Sequence, residues 1–165
     1  MVEYLSCFYQ TIDEKGRVVL PGKLRRLAQE ESGERGALTF KIRECDGGLS
    51  LYTKTAWAAL RQHYTRYPET SREGRWAKRF FYMSVDEIKA DKQGRITIPA
   101  AFRKRAGLEG EIIIFGVGDH IEIWSRERYE QLLRKRDEQE ENKPPFGRWS
   151  SEGGKESDEQ GESRT

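Results

Sequence analysis

Two cysteines, Cys7 and Cys45, and two histidines, His63 and His120, are all the chain has of either residue. With no CxxC pair and no histidines at ligand spacing, neither a zinc site nor a disulfide framework is supported. Apolar runs are short, as at Ile112 to Phe115, and the N-terminus has neither a basic segment nor a long apolar stretch after it. The expectation is a cytoplasmic protein without membrane segment or secretion signal. No phosphate loop of the GxxxxGK[ST] form occurs. His63 lies among Arg61 and Arg66, His120 lies beside Asp119, and neither has a serine or cysteine at a catalytic spacing. An enzyme is therefore disfavoured, and no cofactor is implied. Hydrophobic content is only 35%, equal to the charged content. That is little for one large core and points to small barrels, or to an oligomer whose partner subunits supply the missing burial.

What the chain has in quantity is charge, unevenly spread. From Asp137 to Thr165 there are nine acids and four bases, a net of −5, whereas residues 1–136 carry 26 bases and 19 acids, a net of +7. A basic body with an acidic tail suits a nucleic-acid partner, against the plainer reading of a solvated mixed-charge surface. The tail is rich in Glu, Ser, Gly, Lys and Gln, with Pro144 and Pro145 inside it, and reads as disordered, with Phe146 and Trp149 as its anchors.

The chain also repeats itself. DEKGRVVLPGKLRR at 13–26 aligns without a gap to DKQGRITIPAAFRK at 91–104, 78 residues on. Asp13 and Asp91, Gly16 and Gly94, Arg17 and Arg95, Pro21 and Pro99, and Arg25 and Arg103 are identical pairs. The endings match too, Leu49 to Tyr52 paralleling Ile121 to Trp124. Period-two apolar patterning predicts strands over Glu3 to Ile12, Arg17 to Leu20, Ala37 to Arg43 and Leu49 to Thr53, with the turn-forming Cys45 to Gly48 between the last two. The second copy repeats them at Asp86 to Ala90, Arg95 to Ile98, Glu111 to Gly116 and Ile121 to Trp124. Pro21 and Pro99 end a strand and open a short helix. Further helices are expected at Lys54 to Arg66, from Ser71 to Met83, and at Ser125 to Arg136. In the middle one Trp76, Phe80 and Met83 form the packing face between basic residues. The unit is ββαββ plus a helix, used twice, giving a mainly β fold with short helices (α+β). The half-units are placed at 1–56 and 84–127, a helical connector at 57–83, the end of the trailing helix at 128–136, and the acidic tail at 137–165.

Each repeat sets an arginine directly after a turn glycine, at the tip of a β-hairpin. Gly16 and Gly94 take positive φ at little cost, and Asp13 and Asp91 accept hydrogen bonds from turn amides. In one reading Arg17 and Arg95 pair with the aspartates four residues back and staple the turns, for about 0 to 1 kcal/mol each at an exposed site. In the other, the two tips, flanked by Lys15 and Lys92 and backed by basic helices, form one electropositive face. Lys and Arg neutralise phosphates, arginine can bond in a bidentate manner to a guanine edge, and two copies make a pseudo-twofold reader of successive grooves.

DxxGRxxxP in a ββαββ context, duplicated within one chain, resembles the AbrB-like (SpoVT-AbrB) DNA-binding fold in its tandem form, the MraZ family of bacterial transcriptional regulators. The resemblance extends through RFFYMSVDEIKADKQGRITIPAAFRKRAGL and GDHIEIWSRERYE and covers nearly all of residues 1–135. It implies a swapped-hairpin β-barrel, subunits assembled into a homo-oligomeric ring, and a cytoplasmic, nucleoid-associated regulator. It further implies a repressor that binds direct repeats of double-stranded DNA in the promoter of the division and cell-wall gene cluster, its own promoter included. It maps the DNA-contacting arginines onto Arg17 and Arg95, with Lys15 adjacent, and assigns the helix arginines and trailing helices to packing and ring contacts.

Two departures stand out. Ser6 occupies a first-strand position where such proteins often have glycine, and the resemblance supplies no role for the acidic tail. The rival classes fit less well. A ring-forming scaffold that uses Trp57, Trp76 and Trp124 as contacts has no need of arginine at both tips, and an RNA binder would gather its aromatics into a stacking sheet.

Overall fold

The computed structural model describes residues 2–138 and gathers both repeats into one compact unit, Met1–Gln131. The expected strands and helices appear in their expected order. The first repeat supplies β1 (Cys7–Ile12), β2 (Arg17–Val19), α1 (Gly22–Ser32), β3 (Leu38–Cys45), β4 (Gly48–Thr53) and α2 (Lys54–Tyr64), followed by α3 (Arg72–Met83). The second supplies β5 (Val85–Ala90), β6 (Arg95–Thr97), α4 (Ala100–Ala106), β7 (Gly110–Gly116), β8 (Ile121–Ser125) and α5 (Arg126–Glu138). Most of the tail expected from residue 137, including Phe146 and Trp149, lies outside the described residues.

The repeats do not fold side by side; they exchange strands. A six-stranded sheet runs β1-β7-β8-β4-β3-β5, and β2 and β6 form a separate two-stranded ribbon. Thus β1 of the first repeat pairs with β7 of the second, from Cys7 opposite Phe115 to Ile12 opposite Gly110. In return β5 pairs with β3, from Val85 opposite Arg43 to Ala90 opposite Leu38. The two ladders have the same length and register. The pairings Val18 with Ile96 in the ribbon and Ser50 with Glu122 between β4 and β8 each lie at the centre of a three-residue antiparallel ladder. Those two points mark an internal pseudo-twofold. The swapped-hairpin character is therefore visible in the pairing, with β1 and β5 as the outer strands of the six-stranded order. The backbone bonds Asp13 N to Arg17 O (3.4 Å) and Asp91 N to Arg95 O (3.0 Å) carry each sheet end into the ribbon.

One core serves both halves. Val18 and Ile96 of the ribbon, Leu24 and Ala28 of α1, Phe102 and Ala106 of α4, and Phe40, Leu51, Ile112 and Ile123 of the sheet are all buried in a single apolar cluster. Each large side chain so buried stabilises the fold by about 1.5–3 kcal/mol relative to exposure. Because Ile12 and Ile88 sit in that cluster on exchanged strands, neither repeat could complete its core alone. Pro21 and Pro99 precede α1 and α4 with extended backbone, and Gly33 and Gly107 close those helices in the left-handed conformation. The β3–β4 hairpin turns through Asp46 and Gly47, both at positive φ, the arrangement a two-residue type I′ turn demands.

Two expectations are corrected. The first concerns α3, whose expected packing face is its outer face: Phe80 and Met83 are 71% and 79% exposed, and Trp76 is 47% exposed. The helix is anchored instead by Phe81, which stacks on Trp57 (4.7 Å between ring centroids) and Tyr64 (4.3 Å), beside buried Tyr52. The periodic apolar stripe was legible, but a second apolar side with one aromatic in an aromatic slot outweighs it within a single chain.

The second correction is that Glu3 to Ile12 is not one strand. Tyr4 exchanges backbone hydrogen bonds with Gly118 (2.7 and 2.9 Å), Gly116 N bonds to Ser6 O (3.0 Å), and the chain bends between these points at Ser6, with φ of 79°. Gly116 allows the close approach, since a side chain there would meet the Tyr4 backbone at 2.2 Å. A glycine at residue 6 would suit this conformation, which costs a residue with a Cβ about 1–2 kcal/mol. Serine offsets part of the cost by accepting a hydrogen bond from Lys23 Nζ at 2.7 Å. After glycine's larger entropy loss on folding, Ser6→Gly is expected to stabilise by about 0.5 kcal/mol, and Ser6→Val to destabilise by more than about 1 kcal/mol. Thermal unfolding of both variants checks this; a lowered midpoint for Ser6→Gly would contradict it.

Candidate nucleic-acid interface

The two turns are built alike, atom for atom. In the first, Asp13 Oδ1 accepts from the backbone N–H groups of Lys15 (3.0 Å) and Arg17 (2.8 Å), and Oδ2 accepts from Arg17 Nε (2.5 Å). In the second, Asp91 Oδ1 accepts from Gln93 N (2.9 Å) and Arg95 N (2.9 Å), and Oδ2 from Arg95 Nε (2.6 Å). Gly16 and Gly94 share a φ of 80°. One carboxylate thus shapes the turn with one oxygen and aims the arginine with the other. The staple and the outward-facing arginine are the same structure.

Only Nε is used. Arg17 and Arg95 side chains are 61% and 64% exposed, and among the described residues their terminal Nη groups have no partner. In arginine generally, such a fork of free nitrogens can bond in a bidentate manner to a guanine edge or a phosphate. Hydrogen bonds from the backbone and side chain of Arg17 and of Arg95 hold the Asp13 and Asp91 carboxyls below their ordinary range. The sign follows: a depressed carboxyl contributes in full above its unfolded pKa, and the contribution is lost as pH falls through the folded one. At neutral pH both turns are formed.

Lys15 is exposed on the first tip, where the second has Gln93; Lys92 is exposed on the second, where the first has Glu14. All four expected site residues therefore lie on the two tips, with one lysine in each, at different turn positions. The ribbon sets the tips against each other: Leu20 N bonds to Gly94 O and Ile98 N to Gly16 O, both at 2.8 Å. Of the helix bases, Lys23 reaches Ser6, Arg105 lies over the Phe102 ring at 5.4 Å, and Arg26 and Lys104 are exposed. Arg25 and Arg103 turn toward the tips.

Among the described residues no group of three or more His, Cys, Asp or Glu side chains is placed to hold a metal. His120 stacks on Tyr52 at 4.8 Å, with Asp119 Oδ1 and Glu122 Oε1 at its ring nitrogens. Burial opposes its charge, but the bonds to Glu122 and Asp119 outweigh burial and raise its pKa. Its polar bonds stay within the β7–β8 turn and β8, while its ring packs on Tyr52 of β4. No helix among the described residues is long and apolar enough to cross a membrane.

Comparison with known proteins shows the family of the chain. The family described as "MraZ protein, putative antitoxin-like" matches residues 81–145. A transcriptional regulator MraZ of Moorella thermoacetica is 34% identical over 138 residues, covering 84% of this chain and 92% of the relative. The chain belongs to the MraZ family. Other members similar to it include the transcriptional regulators MraZ of Caldicellulosiruptor saccharolyticus, 41% identical over 76% of this chain and 83% of the relative, and of Limosilactobacillus reuteri, 40% identical over 76% and 83%. MraZ relatives thus bear a regulator's name, in keeping with the lack of a catalytic motif in this sequence.

If the aspartates act by aiming the arginines, Asp13→Asn with Asp91→Asn lowers affinity for DNA about threefold to tenfold, even though removing two negative charges from a basic face should raise it on electrostatics alone. Anisotropy titration at fixed salt decides the sign. Tighter binding by the double variant would mean the carboxylates only repel phosphate.

Proposed function

We propose that the chain is a sequence-specific, double-stranded-DNA-binding transcriptional regulator that reads its operator with the arginines of two hairpin tips, Arg17 and Arg95, with Lys15 and Lys92 as neighbouring phosphate contacts. The observation that carries this reading is the twin turn geometry, in which each aspartate occupies Nε and leaves an exposed Nη fork without a partner among the described residues. Stability alone is a weak motive for building that arrangement twice, since exposed pairs contribute about 0 to 1 kcal/mol. The net charge of +7 over residues 1–136 favours an anionic partner, and the regulator's name carried by relatives across most of the chain supports the same class.

The fuller reading is a repressor of the division and cell-wall gene cluster, its own promoter included, acting on direct repeats as a homo-oligomeric ring at the nucleoid in the cytoplasm. The assembly is supported by α3, which leaves Trp76, Phe80 and Met83 exposed on one side. A second copy covering that stripe would provide the burial that a 35% hydrophobic chain is short of. The specific alternative is a ring scaffold in which the arginine–aspartate pairs are turn staples and nothing more.

Fluorescence anisotropy with DNA from the region upstream of the chain's own coding sequence, against scrambled DNA, separates the two. Arg17→Ala with Arg95→Ala is expected to lose sequence preference and at least about tenfold in affinity, each base-reading arginine being worth about 1–3 kcal/mol, while the oligomeric size by sedimentation stays the same. Equal binding of both DNAs by the wild type, or an unaffected variant, would leave the scaffold standing.

A further inference from the structure

We infer that Arg25 and Arg103 are positioning residues which act across the pseudo-twofold, each bracing the reading tip of the opposite repeat. Arg103, on α4 of the second repeat, donates from Nη1 to the Glu14 carbonyl at 2.9 Å, on the first tip. Arg25, on α1 of the first repeat, donates from Nη1 to the Lys92 carbonyl at 3.4 Å, on the second tip. The two bonds span 89 and 67 residues of sequence, so neither is local helix chemistry.

The glycines corroborate the contact from the other side. A Cβ at Gly16 would lie 2.6 Å from Arg103 Nε and 2.7 Å from the Ile98 carbonyl; one at Gly94 would lie 3.2 Å from both Arg25 Cδ and the Leu20 carbonyl. Both glycines are buried although they sit in exposed turns, because an arginine of the other repeat lies across each. Arg103 Nε is itself buried, with no hydrogen-bond partner among the described residues. A donor left unpaired in that way carries a desolvation cost, which the contact of the Arg103 side chain with the opposite tip has to offset.

The consequence concerns specificity. A hairpin tip with only its own turn bonds would sample many orientations, and an arginine fork on it would select poorly among base edges. With its backbone carbonyl tied to the opposite repeat, each tip loses that freedom before DNA arrives, and less ordering remains to be done on binding. The identity of Arg25 and Arg103 at matching positions of the two repeats has a physical cause in this crossed contact. The functional part of the inference rests on the reading of the tips as DNA-binding elements; the brace itself does not.

The experiment is amide hydrogen exchange by NMR on the full chain without DNA. In Arg103→Ala, exchange at Lys15, Gly16 and Arg17 is expected to rise about fivefold to tenfold, the size of one net hydrogen bond, while Gln93, Gly94 and Arg95 stay as in the wild type. Arg25→Ala is expected to give the reverse pattern, with a smaller effect because its bond is longer. Arg103→Lys, which keeps the charge and much of the stem but loses the fork, covers the case in which the alanine variant fails to fold, and should restore part of the protection. A uniform rise across the chain, a rise confined to the tip of the mutated repeat, or no change at the opposite tip would overturn the brace. If the crossed pattern appears, the brace holds whatever the DNA titration shows; a wild type that binds DNA without sequence preference would then remove only the reading of the tips.

Discussion

The three-residue ribbon in which Val18 pairs with Ile96 is the constraint on which the rest of the structure depends. It is the point where the two repeats become one object. β1 and β5 must leave their own repeats to pair with β7 and β3, and the ribbon between them forces the two turns to emerge from the same seam. Burial of Val18 and Ile96 in the common core anchors that seam from within, and the bonds Leu20 N to Gly94 O and Ile98 N to Gly16 O tie each turn to its neighbour from without. A pair of hairpin tips that would otherwise be mobile is thereby made part of a packed body.

Function on this account is a matter of which atoms are already spent. Each aspartate takes up two turn amides and one arginine nitrogen, so turn shape and arginine direction are set by a single group. The arginine keeps its outward fork. The arrangement tolerates differences between the tips, Glu14 and Lys15 against Lys92 and Gln93, because those side chains take no part in the frame. The two tips are thus alike in frame and chemically unequal at their exposed positions.

The duplicated DxxGRxxxP stretch and the matching strand endings make the repeat, the ββαββ order and the arginine tips legible in the sequence, because glycine, proline and aspartate have narrow conformational uses. Pairing partners were another matter. Period-two patterning shows that β1 has a buried face but not whose strand lies beside it, so the exchange itself was anticipated only through the family resemblance. The same limit applies to Arg25 and Arg103: their identity in the two repeats was visible, but a contact spanning 67 or 89 residues leaves no local signature. On α3 periodicity misled, since a stripe of large apolar residues does not say whether it faces its own chain or another. Ser6 is the converse case, where one departure from the family pattern fell on a residue with positive φ.

The central claim is that the tips form one fixed unit, and a distance between them tests it most directly. Nitroxides at Glu14→Cys and Gln93→Cys, in a background with Cys7 and Cys45 replaced by serine and diluted with unlabelled chain, report that distance by double electron–electron resonance. A single narrow distribution that is unchanged on adding operator DNA is the predicted result. A broad or multimodal distribution that sharpens only when DNA is present would contradict it, and would mean that the DNA, not the exchanged fold, sets the spacing of the arginines.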